Sequence, residues 1–274
     1  MTFDFVKSNG LGNDYLVVDA ETLGFELTAA RVRQICDRHI GIGSDGILVV
    51  VPSTAADFGL RILNPDGSEA EKSGNGLRIF AKFLYEHGYT RRTEFLVETL
   101  GGIVGLRLLL ANGRVERVRV EMGRAVIDRT LTSIAVEGET LDVIALSVGN
   151  PHCVCIVNDL SRVDLARLGP LIESHPAFPR RTNVQFAQVL SRTEVRALIW
   201  ERGAGHTLAS GSSSCAVAAA CFDRGLIDGR VTVHMEGGDL LIEVDEALQV
   251  VMTGTVEEIY TGTFSADLRR RLLA

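Results

Sequence analysis

The hydrophobic pattern divides the chain into short strand-like runs and two segments that are apolar on nearly every side. Residues 77–84 carry large apolar side chains around most of a helix, and residues 215–222 are almost wholly small and apolar. A helix of this kind is buried inside a protein, not laid on its surface. The remaining pattern predicts a helix at 28–38 capped by Thr28, a short amphipathic helix at 266–272, and several strands. The predicted strands are 3–7, 15–18, 47–51, 59–63 and 152–157, and each half ends in strand-rich sequence, 95–120 and 231–251.

The two apolar helices look like copies of one another. One begins at Ser73-Gly74 and the other at Ser210-Gly211, 137 residues later in a chain of 274. Each ends at a glycine fifteen residues after its serine, Gly88 and Gly225. A period of this length indicates a duplicated domain and not a solenoid. Further pairs match in the same order: 12–14 with 149–151, 101–102 with 237–238, and 120–123 with 251–254.

These signals predict an α+β fold of two pseudo-symmetric duplicated halves. Each half is expected to wrap a curved mixed or antiparallel sheet around one buried central helix. No low-complexity linker separates them, and the boundary is expected between residues 118 and 131. We therefore assign 1–120 to the N-terminal half, with 263–274 packing back on it, and 121–262 to the C-terminal half.

Composition narrows the classes of protein. An apolar fraction of 46% supports a developed core, and a net charge of −7 argues against a nucleic-acid partner. The first residues lack the pattern of a signal peptide, and no apolar run reaches the ~18 residues of a membrane span. The cysteine number is odd and the spacing unlike that of a metal site, which is typical of small buried hydrophobes in a reducing cytoplasm. The cysteines are Cys36, Cys153, Cys155, Cys215 and Cys221.

The starts of the two apolar helices are the strongest candidates for a functional site. A helix N-terminus offers free backbone N–H groups and the positive end of the helix dipole, and both favour a carboxylate. Gly74-Asn75 and Gly211-Ser212 supply those amides, and glycine lets the backbone approach a ligand closely. Two such helix starts related by a repeat indicate one site built from two halves.

At these motifs the chain resembles the diaminopimelate epimerase family over residues 5–262. The resemblance implies two α/β halves with the active site in the cleft between them. It also implies a cofactor-independent amino-acid epimerase of lysine biosynthesis, interconverting LL- and meso-diaminopimelate by removing and returning the α-proton. The motifs that carry it are 7–14, 37–45, 64–78, 149–152, 182–183 and 201–205.

The resemblance also implies a set of site residues. Ser73 and Ser210 occupy the two positions where the family has its catalytic cysteines, and His152 and Glu201 lie where residues orient and polarise that pair. Cys215 matches a second, non-catalytic cysteine that some family members carry. Taken alone, His152 is equally well read as a buried histidine whose hydrogen bonds are satisfied, and an isolated loop Asn as a turn residue. The residues expected to bind substrate are Asn13, Asn64, Gly74, Asn75, Asn150, Asn183, Glu201, Arg202, Gly211 and Ser212.

The two serines leave four interpretations open. A thiol titrates near 8.5, whereas a serine hydroxyl needs an adjacent base, so serines do not simply replace a thiol pair. Mutagenesis to trap a complex is the first interpretation, and a natural variant with an altered reaction on another amino acid is the second. The third is an amino-acid-binding homologue without turnover. The fourth treats both serines only as helix caps, which is compatible with catalysis.

His206 is a further departure from the family pattern, which has Glu at this position in the run 203–207. A mutant made only for trapping would not need this change, which favours a natural branch. We hypothesise that His206 lies near Ser210 and acts as its base or in its place; the alternative is a solvated loop histidine.

No motif indicates a cofactor. Residues 41–43 contain two glycines but lack the rest of a dinucleotide fingerprint, and no phosphate loop or zinc spacing is present. We expect no metal and no cofactor, a small amino-acid substrate, and a cytoplasmic protein. The family often forms dimers, so a homodimer is the expectation from the resemblance.

Overall fold

The computed structural model describes residues 3–274 and divides into two compact units. The first contains residues up to Val120 together with 255–274, and the second contains residues 121–254. None of the helices formed by these described residues is long and apolar enough to cross a membrane.

The first unit is a sheet around the helix that follows Ser73. Its helices are α1 (Ala20–Leu23), α2 (Ala29–Cys36), α3 (Gly74–Glu86) and α6 (Ala266–Leu273). Its strands are β1 (Phe5–Gly10), β2 (Asn13–Asp19), β3 (Ile47–Val51), β4 (Phe58–Leu63), β5 (Glu69–Ala70), β6 (Glu94–Thr99), β7 (Gly102–Ala111), β8 (Arg114–Arg124, which runs past the boundary) and β20 (Glu257–Gly262).

The second unit repeats this plan around the helix that follows Ser210. Its helices are α4 (Leu165–Glu173), α5 (Gly211–Asp223) and a 3-10 turn at Leu160–Arg162. Its strands are β9 (Val126–Asp128), β10 (Ser133–Val136), β11 (Glu139–Asp142), β12 (Ile144–Ser147), β13 (Pro151–Ile156), β14 (Asn183–Ser191), β15 (Glu194–Glu201), β16 (Gly205–Thr207), β17 (Arg230–Met235), β18 (Gly238–Val244) and β19 (Gln249–Thr255).

Strand pairing confirms the duplication predicted from the sequence. In the first unit β1–β2 is antiparallel, β2–β3 parallel, β3–β4 antiparallel and β4–β6 parallel. The second unit has the same series in β12–β13, β13–β14, β14–β15 and β15–β17. Antiparallel hairpins β6–β7 and β17–β18 follow in each. The fold is α+β with mixed sheets, as the pattern indicated.

Residues 255–262 lie in a different unit from the one assigned on sequence. They fall in 121–262 by sequence, but β20 pairs antiparallel with β1 of the first unit, from Phe5↔Gly262 onward. In the second unit β9 takes the equivalent place beside β12. Each strand fills a sheet edge whose backbone groups need partners. The sequence pattern predicts neither this strand nor the edge that it joins.

The two central helices are equal in length and almost wholly buried. Both α3 and α5 contain 13 residues, and Ser73 and Ser210 cap them with nearly the same backbone angles, φ/ψ −136°/118° and −143°/127°. Gly88 and Gly225 follow their C-termini with φ of +82° and +69°, a conformation that glycine adopts without strain. The predicted lengths and end points of both helices are therefore confirmed.

Helix α6 completes the core of the first unit. Leu268 and Leu272 are buried together with Phe5, Leu16 and Phe264. Arg269 donates to Asp4 at 2.6 Å, and Arg31 Nε donates to the carbonyl oxygen of Leu272 at 2.6 Å. The amphipathic helix predicted at 266–272 is present and lies against this core.

Candidate functional site

Ser73 lies where α3 begins, with its hydroxyl held by two partners. Its Oγ accepts from the backbone N–H of Gly76 at 3.1 Å, and the hydroxyl of the buried Tyr15 lies 3.3 Å away. The serine therefore caps the helix, as one interpretation held, and also shares a hydrogen bond with a second ionisable hydroxyl. Gly74 and Asn75 follow it as the buried first turn.

The side-chain amides of Asn75 and Asn13 form a chain of hydrogen bonds next to Ser73. Arg78 Nη2 donates to Asn75 Oδ1 at 3.0 Å, and Asn75 Nδ2 donates to Asn13 Oδ1 at 3.3 Å. Asn13 Nδ2 in turn donates to Asp45 Oδ2 at 3.0 Å. A cation at one end and a carboxylate at the other fix the orientation of both amides.

A cluster of charged side chains lies next to Asn13 and includes Asp45, its hydrogen-bond acceptor. Arg38 Nη2 bonds Asp14 at 2.6 Å and Asp45 at 2.7 Å, and Lys7 pairs with Asp14. Burial raises the pKa of the Asp14 carboxyl, but the hydrogen bonds from Arg38 and Lys7 outweigh it, so that this pKa lies below its ordinary value. Asp14 therefore stays ionised at neutral pH.

Asn64 has a local role. Its Nδ2 donates to Ser68 Oγ at 2.9 Å, and its backbone carbonyl accepts from Gly67 N at 2.9 Å. These contacts stabilise the turn after β4, which is the turn chemistry that the sequence offered as the alternative.

Ser210 caps α5 in the same way as Ser73 caps α3. Its Oγ accepts from the backbone N–H of Ser213 at 3.4 Å, and Gly211 and Ser212 form the first turn. Ser210 is 4% exposed and Ser213 is fully buried. The start of α5 in the second unit therefore repeats the capped start of α3 in the first unit.

His152 is buried in a hydrogen-bonded row that leads to the first turn of α5. Its Nε2 donates to Asn150 Oδ1 at 2.9 Å, and its Nδ1 accepts from Gln185 Nε2 at 3.1 Å. Gln185 Nε2 also donates to Ser213 Oγ at 3.0 Å. Burial lowers the pKa of His152 to about 3, so the imidazole is neutral, with its proton on Nε2.

Asn183 and the loop after β15 are tied together through the backbone. Asn183 Oδ1 accepts from Arg202 N at 3.0 Å, while its Nδ2 donates to the Pro151 carbonyl at 2.9 Å. The Arg202 guanidinium is exposed and donates to the Arg180 carbonyl at 3.2 Å. Glu201, half-buried at the end of β15, accepts from Ala204 N through its carbonyl. The structure brings these three predicted residues together.

His206 is paired with a carboxylate. It lies on β16 opposite Trp200, is exposed, and its Nε2 bonds Glu236. This partner holds the imidazole at the surface, and the hypothesis that His206 serves Ser210 stays a prediction.

The five cysteines are all buried and unpaired by disulfides. Burial raises the pKa of Cys221 to about 12 and also raises that of Cys36, while the neighbouring Cys155 and burial raise that of Cys153. The prediction that the cysteines are buried hydrophobes is confirmed. A thiol with a raised pKa is a poor source of thiolate, so these three are unsuited to act as catalytic thiols.

Sequence reasoning missed Tyr15, Gln185 and Glu173. Tyr15 and Gln185 contact the predicted site residues Ser73 and His152, and Glu173 contacts the segments next to Asn183 and Arg202. None of the three stands in a run of residues with distinctive spacing. Only Tyr15 had a usable signal, because it follows the 12–14 motif directly. Residues 3–274 contain no cluster of three or more His, Cys, Asp or Glu side chains arranged to hold a metal ion.

Comparison with solved structures places the fold. A hydroxyproline epimerase from Agrobacterium vitis superposes with a TM-score of 0.75 at 16% identity, covering 93% of this chain and 90% of that one. A PhzF-family phenazine biosynthesis protein from Bacillus anthracis superposes with a TM-score of 0.72 at 17% identity, covering 94% and 97%. These likenesses concern the fold.

Sequence comparison reaches further. The diaminopimelate epimerase family matches residues 5–127 and 144–259. The diaminopimelate epimerase of Pelotomaculum thermopropionicum is 45% identical over 95% of this chain and 98% of its own length. That of Moorella thermoacetica is 45% identical over 96% and 99%, and diaminopimelate epimerase 2 of a Nostoc species is 44% identical over 96% of both. With this similarity along nearly its whole length, the chain belongs to the diaminopimelate epimerase family of isomerases.

Proposed function

We propose that this protein interconverts LL- and meso-diaminopimelate, a step of lysine biosynthesis, with Ser73 and Ser210 as its acid–base pair. One observation carries the proposal: in a member of this family, two duplicated helices begin at serines with matching caps and matching backbone angles. By the family resemblance, those serines lie where the family has its catalytic cysteines.

The reaction moves one proton off the α-carbon and another onto it. In the reactive state one serine is an alkoxide whose oxygen takes the proton as the Cα–H bond breaks and so becomes a hydroxyl, and the electron pair passes into the substrate carboxylate. The other serine donates its hydroxyl proton to the opposite face, which inverts the centre. The free amides at the starts of α3 and α5 stabilise the charge on the carboxylate.

Each serine is assisted by its own neighbours. Tyr15, 3.3 Å from Ser73 Oγ, donates or accepts a proton as Ser73 changes state. Beside Ser210, the row of Ser213, Gln185 and the neutral His152 holds the first turn of α5 in place. His152 acts there as a hydrogen-bonding group and not as a cation, because its pKa is about 3.

The remaining predicted residues bind the substrate. Asn13 and Asn75 present fixed amides next to Ser73, and Gly74, Gly211 and Ser212 present backbone N–H groups. The others hold the ammonium and the distal end of the diacid, with Glu201 also polarising the Ser210 side. They are Asn64, Asn150, Asn183, Glu201 and Arg202.

A second candidate is an amino-acid-binding homologue without turnover. The observation that favours it is the serine at both catalytic positions, since a serine hydroxyl is a far weaker acid than a thiol. A third candidate is an altered reaction on another amino acid, since the resemblance implies that the family's substrate-binding residues are present. The same experiment distinguishes it from the other two.

The proposal includes where and how the protein works. We place it in the cytoplasm, acting on a free amino acid, and as a homodimer, following the family resemblance. Sedimentation velocity at micromolar concentration tests for the homodimer. The expected result is a species of twice the 29.7 kDa chain mass.

Chiral chromatography of reaction mixtures tests the activity. Purified protein incubated with LL-diaminopimelate is expected to produce the meso isomer, and the double variant Ser73→Ala, Ser210→Ala to produce none. A wild-type protein that binds diaminopimelate but leaves it unchanged would favour the binding homologue. Conversion of a different amino acid alone would favour the altered reaction.

A further inference from the structure

Glu173 is a buried carboxylate at an unfavourable place in its helix. It is the last residue of α4 and is 5% exposed. The C-terminal end of a helix carries partial negative charge, so a carboxylate there is disfavoured unless strong donors surround it. The stability of α4 therefore does not explain why a carboxylate occupies this position.

Three donors surround the Glu173 carboxylate. Oε2 accepts from the Trp200 indole N–H at 2.7 Å, and Oε1 accepts from Gly203 N at 2.8 Å and from Arg181. The backbone carbonyl of Glu173 also accepts from Thr182 N at 3.1 Å. One residue thus contacts two separate segments, 181–182 and 200–203.

Those two segments carry proposed substrate-binding residues. Asn183 follows Arg181 and Thr182 directly, and Arg202 N donates to Asn183 Oδ1 at 3.0 Å. The next amide, Gly203 N, donates to Glu173. Successive amides of one loop are therefore held by Asn183 and by Glu173. Arg181 has φ +59°, a conformation that a non-glycine residue keeps only when its surroundings impose it.

We propose that Glu173 is a positioning residue for substrate recognition. Its carboxylate fixes the 181–183 segment and the 200–203 loop relative to each other, so that Asn183, Glu201 and Arg202 present one preformed surface to the distal end of the substrate. Glu173 itself does not touch substrate. This inference rests on the proposed function, because that function makes these three residues the binding surface.

The test compares Glu173→Gln with Glu137→Gln. Gln has nearly the shape of Glu but carries an NH2 group in place of one carboxylate oxygen, and that group cannot accept a hydrogen bond. The Trp200 indole or the Gly203 amide therefore loses its acceptor. Glu137 pairs with Arg167 of the same helix at the exposed surface and serves as the matched control. We expect Glu173→Gln to raise KM for LL-diaminopimelate about tenfold or more with kcat within about threefold. The control is expected to leave both unchanged.

Trp200 is the single tryptophan of the chain, so its emission reports directly on the lost hydrogen bond. A shifted emission spectrum with native circular dichroism is expected for Glu173→Gln. A folded Glu173→Gln protein with wild-type KM, or with a loss confined to kcat, would overturn the inference. Should Glu173→Gln fail to fold, the exposed Arg181→Gln decides instead: a KM raised about threefold supports the inference and an unchanged KM overturns it.

The Kd for meso-diaminopimelate, measured by titration calorimetry, distinguishes a failure of this inference from a failure of the proposed function. A wild-type protein that binds without turnover refutes the function, and a Kd for Glu173→Gln about tenfold weaker still supports the positioning role. An equal Kd in the two proteins overturns it. Absence of both binding and turnover in the wild type overturns both proposals.

Discussion

At the scale of single residues, burial and neighbouring charges set the charge states of side chains at the candidate site. His152 is neutral because its ring lies away from water between Asn150 and Gln185, whereas Asp14 stays ionised because Arg38 and Lys7 reach it. Both states are fixed before any ligand arrives. Such preorganised groups need no rearrangement when charge develops on a substrate.

The pKa of His152 predicts a loss of stability in mild acid. The unfolded chain binds a proton at His152 near the ordinary value of 6.5, but the folded protein does so only near pH 3. The unfolded state therefore holds more protons between these values, and the free energy of unfolding falls as pH drops below 6.5. We expect a fall of about 2 kcal/mol between pH 7 and pH 5, measured by urea denaturation.

The variant His152→Gln isolates this effect, since it should flatten the pH dependence over that range. His175→Gln, at a half-buried position of the same unit, should leave this dependence intact. An unaltered slope in His152→Gln would show that another group is responsible.

Tyr15→Phe tests the assistance given to Ser73. With the hydroxyl removed, kcat is expected to fall about tenfold, because Ser73 loses its proton partner. In a Ser73→Cys background the loss should be less than about threefold, since a thiol ionises without help. Steady-state kinetics of the four proteins supplies the comparison. Equal losses in the two backgrounds would argue that Tyr15 only packs.

The sequence predicts a set of site residues but not the residues that support them. Ser73, Asn75, Asn150 and Asn183 stand in motifs with recognisable spacing, and hydrogen bonds link Asn150 through His152 and Gln185 to the first turn of α5. Tyr15, Gln185 and Glu173 act through contacts made only after folding. A pattern of residue types along the chain carries no record of which buried donor meets which acceptor.

At the scale of elements, periodicity was most reliable for the two central helices. The largely apolar segments 74–86 and 211–223, each with a serine before it and a glycine after it, indicate both the length and the burial of the two helices. Helix α4 escaped prediction because Pro170 lies inside it, where proline usually ends a helix. The β10–β11 hairpin also escaped, since its short strands give little alternation.

Helix α4 is held closely against Trp200 through Gly169. A Cβ added at Gly169 would lie 2.5–2.8 Å from atoms of the indole ring. Alanine favours a helix over glycine by up to about 1 kcal/mol, but overpacking costs about 1–3 kcal/mol. We therefore expect Gly169→Ala to lower the free energy of unfolding by about 1–2 kcal/mol in urea titrations.

The same change in a Trp200→Leu background serves as the control. Leucine leaves room for the added methyl group, so the cost should shrink towards zero. A penalty that persists there would mean that the backbone, and not the indole, resists the substitution.

At the scale of the whole molecule, the first unit is discontinuous in sequence. Residues 255–274 supply β20 along β1 and place Phe264, Leu268 and Leu272 in the core. The hydrophobic pattern predicts the helix at 266–272 but not the strand before it, and the choice of sheet edge depends on contacts distant in sequence. That is why 255–262 was assigned to the other half.

This arrangement predicts that residues 1–120 do not fold without 255–274. The fragment alone loses one of the two strands that pair with β1, together with three core side chains, and should show no cooperative thermal transition by circular dichroism. Joining 255–274 to its N-terminus through a flexible linker should restore one. A cooperative transition in the fragment alone would contradict the account of this core.

The central claim, that a pair of serines at duplicated helix starts inverts an α-carbon, is tested most directly by NMR in heavy water. LL-diaminopimelate incubated with the protein should gain deuterium at the α-carbon of the inverted centre as the meso isomer appears. Both changes should vanish in Ser73→Ala and in Ser210→Ala. Substrate that keeps its α-proton in the presence of wild-type protein that binds it would contradict the claim.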